Sequence, residues 1–337
     1  MQRLRGRYER NGSAFEPWVY GVLRGGIGMI GDGTDNNRAQ WLQERRKSIG
    51  GSDAAAIIGL NRYTTPYVVW ADKTGLLPEK EDTEAMRQGR DLEEYVAKRF
   101  TKSTGKSVRR NNSIIRNPKY PFAHANIDRQ IVGERAGLEC KTTSIMNMKR
   151  FKNGDYPEEY YCQCVHYMAV TGYDKWYLAV LILNQGFMVF EIERDEDEIG
   201  ALMEAEKAFW EAYVLKNVPP PMDGKPATTE AVNHVFRTES GGEADISHLY
   251  PDIENLQALK SQIKALNEQA EKIEQEIRQS LSDSDTGHCG RFTVTWRNQT
   301  RRTLDKKLLQ ASNPLLDLSP YEKSTSYRVF KIKEEEE

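Results

Sequence analysis

Cysteine is scarce in this chain, with four residues in 337: Cys140, Cys162, Cys164 and Cys289. Their number and uneven spacing exclude a disulfide framework at this length and point to reduced thiols. Long apolar runs are missing too. No stretch approaches the roughly 20 residues that span a bilayer, and the polar, Arg-rich residues 1–10 lack the apolar core of a signal peptide. No membrane association and a cytoplasmic location are expected. The net charge of −2 supplies no overall basic field, so a polyanion would have to be met by local patches at 45–47, 106–110, 149–152 and 297–302. The glycine-rich run Arg24-Gly25-Gly26-Ile27-Gly28-Met29-Ile30-Gly31-Asp32-Gly33 has no Gly-Lys-Ser/Thr after it and the wrong spacing for a dinucleotide loop, which excludes a nucleotide cradle of either kind. The pair flanking Gln163, Cys162 and Cys164, falls short of the four thiolates of an iron-sulfur cluster and reads as small buried thiols on a helix.

What is present describes a globular protein of two or three units, 38% hydrophobic and 29% charged. The break Val218-Pro219-Pro220-Pro221-Met222-Asp223-Gly224 separates two regions. The expected organisation is a flexible leader over 1–37, a main domain over 38–217, a linker over 218–250 and a C-terminal helical arm over 251–337, with a small β-hairpin near 290–297 and an acidic tail at 334–337. Helical patterns cover 41–47 and 53–58, the second with Ser52 as N-cap. A helix over 84–104 places Leu92, Val96 and Phe100 on one face and stops at Gly105. Alternation and β-branching predict strands near 106–116, 122–132, 136–143, 175–183 and 186–193. Pro157 opens a helix that Gly172 ends, and another helix covers 195–216. In the arm, Ile253, Leu256, Leu259, Ile263, Leu266, Ile273 and Ile277 form a heptad-like stripe, as in a helical hairpin or short coiled coil.

The chemistry-bearing feature is Gly137-Leu138-Glu139-Cys140-Lys141-Thr142. Residues i and i+2 of a strand share a face, so Glu139 and Lys141 project together, and Asp128 lies a short hairpin upstream. Phosphodiester hydrolysis needs an activated water, neutralised charge on phosphorus and a stabilised leaving oxygen. Asp128 and Glu139 are carboxylates suited to a hard divalent ion, the Cys140 carbonyl offers a further oxygen, and Lys141 is placed to orient or deprotonate water. Glu93 is a candidate third carboxylate from the preceding helix. By itself this pattern also arises on exposed strands of alternating charge.

Five stretches in order carry more weight. They are Arg45-Arg46-Lys47-Ser48-Ile49-Gly50-Gly51-Ser52-Asp53-Ala54-Ala55-Ala56-Ile57-Ile58-Gly59, Glu84-Ala85-Met86-Arg87-Gln88-Gly89-Arg90-Asp91-Leu92-Glu93, Ala125-Asn126-Ile127-Asp128, Gly137-Leu138-Glu139-Cys140-Lys141-Thr142 and Tyr160-Tyr161-Cys162-Gln163-Cys164-Val165-His166-Tyr167-Met168. Over about 40–217 the chain resembles the YqaJ-type viral recombinases, which are similar to lambda exonuclease within the PD-(D/E)XK nuclease superfamily. The resemblance implies an α/β (α+β) restriction-endonuclease-like core, a mixed central sheet flanked by helices, followed here by a helical C-terminal extension. It makes Asp128 and Glu139 metal ligands with Glu93 as the helix-borne acid, Lys141 the catalytic lysine, and Gln163 a site residue. Arg45 and Ser52 match positions that hold a 5′-terminal phosphate, a role apt for a guanidinium fork and a hydroxyl at a helix start.

The implied activity is that of a Mg2+-dependent exonuclease that digests the 5′ strand from double-stranded DNA ends and leaves 3′ single-stranded tails. Mn2+ is equally acceptable to oxygen ligands. The implied partners are DNA ends, a single-strand annealing recombinase and further copies of the chain in a trimer, in a bacterial host cell with phage or prophage origin. Val165 stands where the family often has a second Gln, and His166 beside it reads as a packed helix histidine rather than a metal ligand. Two alternatives remain at this point: a structure-specific endonuclease with the same chemistry, and an inert DNA-binding module acting through the arm.

Overall fold

The computed structural model describes residues 43–79, 82–239, 241–313, 315–323 and 327–333. The leader 1–37 and the acidic tail 334–337 lie outside the described residues. Two compact units divide at Arg237/Thr238.

The first unit begins with β1 (Ile49–Gly50) and α1 (Gly51–Ile57), followed by α2 (Pro66–Lys73) and α3 (Glu84–Thr104). Strands β2 (Val108–Arg110), β3 (Ile115–Arg116), β4 (Ala123–Ala125), β5 (Arg129–Ile131) and β6 (Ala136–Thr143) follow. The helix α4 (Glu158–Thr171) leads to β7 (Lys175–Ile182), β8 (Gly186–Glu193), α5 (Glu196–Phe209) and α6 (Pro226–Val235). The architecture is the expected mixed α/β arrangement. Its main sheet has the order β2-β5-β6-β7-β8, with β6 and β7 parallel and the other neighbours antiparallel.

Period-two alternation sorts the sheet's side chains into two cores. Leu138, Tyr177, Ala179 and Leu181 face α3 and pack on its Val96, Ala97 and Phe100. On the opposite face, Trp176, Leu178, Val180 and Ile182 join the larger core built with α1, α4 and α5. Helix α4 is the crossover between the parallel strands β6 and β7, and every residue from Cys162 to Val170 is buried. Its ends follow the chemistry expected of them: Glu158 and Glu159 stand in the first turn, and Gly172 closes the helix at φ 68. Thr83 caps α3 by accepting from the Met86 N–H, and Gly105 ends it at φ 73.

Three expectations are corrected. The strands expected at 106–116 and 122–132 each break in two, because the chain changes sheets. β3 and β4 join β1 in a separate three-stranded sheet, β1-β4-β3, whereas β2 and β5 belong to the main sheet. Ser52 is not an N-cap. Helix α1 starts two residues earlier, at Gly51, with Gly50 as the cap, whose N–H donates to the Asp53 carboxylate at 2.9 Å. Part of the 218–250 stretch expected as a linker is the helix α6, whose Thr228 and Ala231 are buried and whose Thr228 hydroxyl bonds Thr65 at 2.8 Å. Alternating small and apolar residues in a Pro-started ten-residue segment give that helix a face to bury.

The second unit contains α7 (Tyr250–Leu281), the hairpin β9 (Thr286–Cys289) and β10 (Phe292–Thr295), and α8 (Lys306–Ser312). Helix α7 is one continuous helix of 32 residues rather than a helical hairpin.

Candidate active site

The strand β6 carries Glu139 and Lys141 on the face toward α4, with the Lys141 ammonium 2.6 Å from the Glu139 carboxylate. Helix α4 completes the arrangement through Gln163. Its amide nitrogen donates to Glu139 at 2.8 Å and its amide oxygen accepts from Lys141 at 2.9 Å, so one side chain fixes both ends of the ion pair. The same nitrogen also donates to the Tyr167 hydroxyl at 2.9 Å. The Tyr160 ring lies 5.0 Å from the Lys141 ammonium and adds a cation–π contact.

Asp128 enters from the loop between β4 and β5. The β5–β6 ladder ends at Arg129 paired with Leu138, so the next outward-facing N–H on β6, that of Cys140, has no strand partner on this side. The Asp128 carboxylate accepts it at 2.7 Å. Breaking the strand at Asn126–Asp128 therefore turns a residue that would sit in a ladder into a carboxylate aimed at the site.

Glu93 stands on α3 at the edge of the same site, yet it is already engaged. Arg129, only 3% exposed, donates to Glu93 at 2.5 Å and to Glu94 at 2.9 Å, and also to the carbonyl of Asp128 at 2.6 Å. Arg129 was not singled out by the sequence; an arginine next to the site aspartate with an acidic pair on the preceding helix was the available signal.

The electrostatics are those of crowded anions. Burial raises the Asp128 carboxyl well above the aspartate range, and the neighbouring Glu139 and Glu93 carboxylates raise it further. Burial also raises Glu139, against the opposing pull of Lys141. Lys141 itself is held up: burial acts to lower it, but Glu139 and Asp128 outweigh that. We take Lys141 as charged, with the two carboxyls short of cationic partners. Glu139 Oε2 is buried and has no hydrogen-bond partner. An orphaned carboxylate oxygen beside a second destabilised carboxyl fits a hard divalent cation. Among the described residues no three His, Cys, Asp or Glu side chains converge as a metal set. The residues available to hold an ion are thus the two carboxylates with backbone and water oxygens, while Glu93 stays on Arg129.

The Cys140 thiol points away from this face, toward the α3 core. None of the four cysteines is in a disulfide. Cys162 and Cys164 are buried, and burial pushes the Cys162 thiol up to about 12.

Arg45 and Ser52 come together across the start of α1, the guanidinium 3.4 Å from the hydroxyl. This turn abuts the site helix, since a Cβ on Gly51 would lie 2.6 Å from the Tyr167 ring and 3.1 Å from the Gln163 Cγ. Beneath it runs a buried polar chain that sequence reading did not find as a unit. The Ser48 hydroxyl bonds His124 at 2.9 Å, the His124 carbonyl accepts from His166 at 2.9 Å, and His166 bonds Glu206 on α5 at 2.8 Å. His166 is accordingly a hydrogen-bonded core histidine. Burial and the positive Lys73 nearby push His124 down to about 3, keeping it neutral.

The YqaJ-like viral recombinase domain matches residues 40–174. The YqaJ protein of Bacillus subtilis (strain 168) is 40% identical over 311 residues, covering 91% of this chain and 97% of that protein. The chain belongs to the YqaJ-like family. Among solved structures, an alkaline exonuclease from Laribacter hongkongensis is 20% identical with a TM-score of 0.46, covering 53% of this chain and 95% of its own. A phage-related exonuclease from Haemophilus somnus 129PT is 14% identical with a TM-score of 0.38, covering 50% of this chain and 96% of its own. The family match spans Arg45, Ser52, Glu93, Asp128, Glu139, Lys141 and Gln163. Among the described residues no helix is long and apolar enough to cross a membrane.

Proposed function

We propose that this YqaJ-like protein is a divalent-metal-dependent DNA exonuclease that hydrolyses the 5′ strand of double-stranded ends and leaves 3′ single-stranded tails. The observation that carries the reading is the Asp128–Glu139–Lys141 constellation locked by Gln163, with Glu139 Oε2 lacking any protein partner. Asp128 and Glu139 would hold the ion, Mg2+ or Mn2+, helped by the Cys140 carbonyl, with Glu93 as an outer acid. The ion, when bound, polarises the phosphodiester and lowers the pKa of attacking water.

The chain's own groups do the rest. Lys141, charged and fixed between Glu139 and Gln163, sits close enough to orient the water and offset the negative charge that grows on the phosphate oxygens. Gln163 keeps both partners in register, so attack needs little reorganisation. Arg45 and Ser52 bind the terminal 5′ phosphate and select for ends over internal bonds, favouring the exonuclease over a structure-specific endonuclease. The 3′ tails are the substrate of a single-strand annealing recombinase, the expected partner. A trimeric ring would account for processive digestion, and a phage or prophage source in a bacterial cytoplasm suits such a pair.

The test is digestion of a linear duplex with a 5′ phosphate at one end and a 5′ hydroxyl at the other, in Mg2+, by the wild type and by Glu139→Ala. Selective loss of the phosphorylated strand, abolished by the substitution, supports the reading. Retained DNA binding with neither strand lost by the wild type refutes it in favour of a binding module.

A further inference from the structure

Helix α7 has no buried residue among those described, although 32-residue helices in proteins ordinarily owe their stability to a packed apolar face. Its apolar residues follow a strict three-four spacing, Leu259, Ile263, Leu266, Ala270, Ile273 and Ile277, and the five large ones are 41–62% exposed. Sustained 3.5-residue periodicity is the seam of a left-handed coiled coil, narrower than the stripe a globular core would use.

The residues flanking the seam indicate what covers it. With Ile263 and Ile277 at a positions and Leu259, Leu266 and Ile273 at d, the e positions are Lys260, Asn267 and Glu274. This series runs from positive through neutral to negative, so it complements itself only when reversed. In an antiparallel pair, where e faces e, Lys260 of one copy meets Glu274 of the other twice, and Asn267 meets itself on the two-fold axis. The core then pairs Leu259 with Ile277, Ile263 with Ile273, and Leu266 with Ala270, so the one small seam residue is filled by a leucine. A parallel pair would stack Ala270 on Ala270 and set Lys260 against the neutral Asn255. Leu256, already half-buried in its own unit, is left out of the six core layers. Glu274 also pairs with Arg278 within the helix and the Lys260 ammonium lies 6.0 Å from the Phe330 ring, so both e-position charges meet a facing copy by sharing or releasing those contacts.

We infer that α7 is a homodimerisation element, pairing two copies of this chain as an antiparallel coiled coil through the 259–277 seam. This is independent of whether the first unit is a nuclease.

The experiment is sedimentation equilibrium of the full-length protein and its variants over a concentration series. The wild type is expected to show a mass-doubling association step, separate from any ring formed by the first unit, and Leu266→Lys, which places two lysines in the core, is expected to abolish that doubling alone. Lys260→Glu, which sets Glu against Glu274 at both ends, is expected to weaken association about tenfold. The exchange Lys260→Glu with Glu274→Lys is expected to restore it. In a Cys289→Ser background, Asn267→Cys is expected to cross-link to itself on mild oxidation while Lys260→Cys does not. A monomeric wild type, association unaffected by Leu266→Lys, or a Lys260→Glu defect that the charge exchange does not rescue would overturn the inference. Far-UV circular dichroism of each variant separates lost pairing from lost helix.

Discussion

Gly51→Ala is the substitution through which the fold and the site can be tested together. The new methyl group would lie 2.6 Å from Tyr167 Cε1, 3.0 Å from its Cζ and 3.1 Å from Gln163 Cγ, where ordinary contacts are 3.4–4 Å. Relief therefore needs a displacement of about 1 Å, and it must come from α4, because the methyl is fixed by the backbone of α1. Tyr167 and Gln163 are 5% and 8% exposed, so neither can swing into solvent. Overpacking of this size costs about 1–3 kcal/mol of stability. The larger effect falls on chemistry: Gln163 fixes Glu139 and Lys141, and a misplacement near 1 Å can lower a rate by about 100-fold. Single-turnover digestion of a 5′-phosphorylated duplex at saturating Mg2+, alongside urea unfolding, reads both quantities. Gly200→Ala, whose Cβ meets nothing within 4 Å, is the control and is expected to leave the rate unchanged. A folded Gly51→Ala protein that digests within twofold of wild type refutes the view that α1 and α4 are packed too tightly for Gln163 to be repositioned without loss.

Further expectations follow from the same geometry. Tyr167→Phe removes one acceptor of the Gln163 amide but leaves Glu139 as the other, and a rate loss of about fivefold is expected in the same assay. Asp128→Asn is expected to abolish digestion while stabilising the metal-free protein by about 1 kcal/mol at neutral pH. Because burial raises the folded-state Asp128 value, the wild type loses this stability as pH rises from the ordinary 3.8 through that raised value, so the gap between variant and wild type widens upward; denaturant midpoints across pH test it. Gly137→Ala would put a methyl 2.2 Å from the fully buried Trp176 ring, and a loss of about 3 kcal/mol is expected by tryptophan fluorescence in urea. Burial lowers His166, but Glu206 raises it more, so the His166 contribution is present below the ordinary histidine value of 6.5 and lost as pH rises through the raised one, while burial holds the Glu206 carboxyl above its ordinary 4.5. Glu206→Leu leaves the buried His166 ring with only the His124 carbonyl as partner, at an expected cost of about 3–5 kcal/mol, and flattens that pH dependence.

The parts of the fold that could be read from sequence are those written in local chemistry. Gly105 ends α3, Pro157 and Gly172 bound α4, and the alternation of Leu138, Glu139, Cys140 and Lys141 places two charges on one face of β6. The juxtaposition of Glu139 with Lys141 follows from strand geometry alone. Long-range partners were not readable. An arginine beside Asp128 and an acidic pair on the preceding helix are visible in the sequence, but not that Arg129 takes up Glu93 and Glu94, 36 and 35 positions away, and so draws off the third acid. The chain's change of sheet at Asn126–Asp128 carries no Gly or Pro signal, because the break is imposed by the ladder's end and the Cys140 N–H rather than by a turn residue. The role of Gln163 came with the family resemblance; its two hydrogen bonds to the ion pair depend on the crossover packing of α4. The cap of α1 lies two positions before Ser52, since Gly50 offers no side-chain sign of being a cap.

The parallel pairing of β6 with β7 sets a clock for the nascent chain. The acids and the lysine leave the ribosome first, then the helix bearing Gln163, and only afterwards the strand against which both must lie. Until about residue 182 has emerged and docked, Glu139 and Lys141 stand on an unpaired strand edge with no rigid neighbour. A half-made polypeptide therefore carries every acid of the candidate site without its geometry, and the proposed activity would arrive late in synthesis.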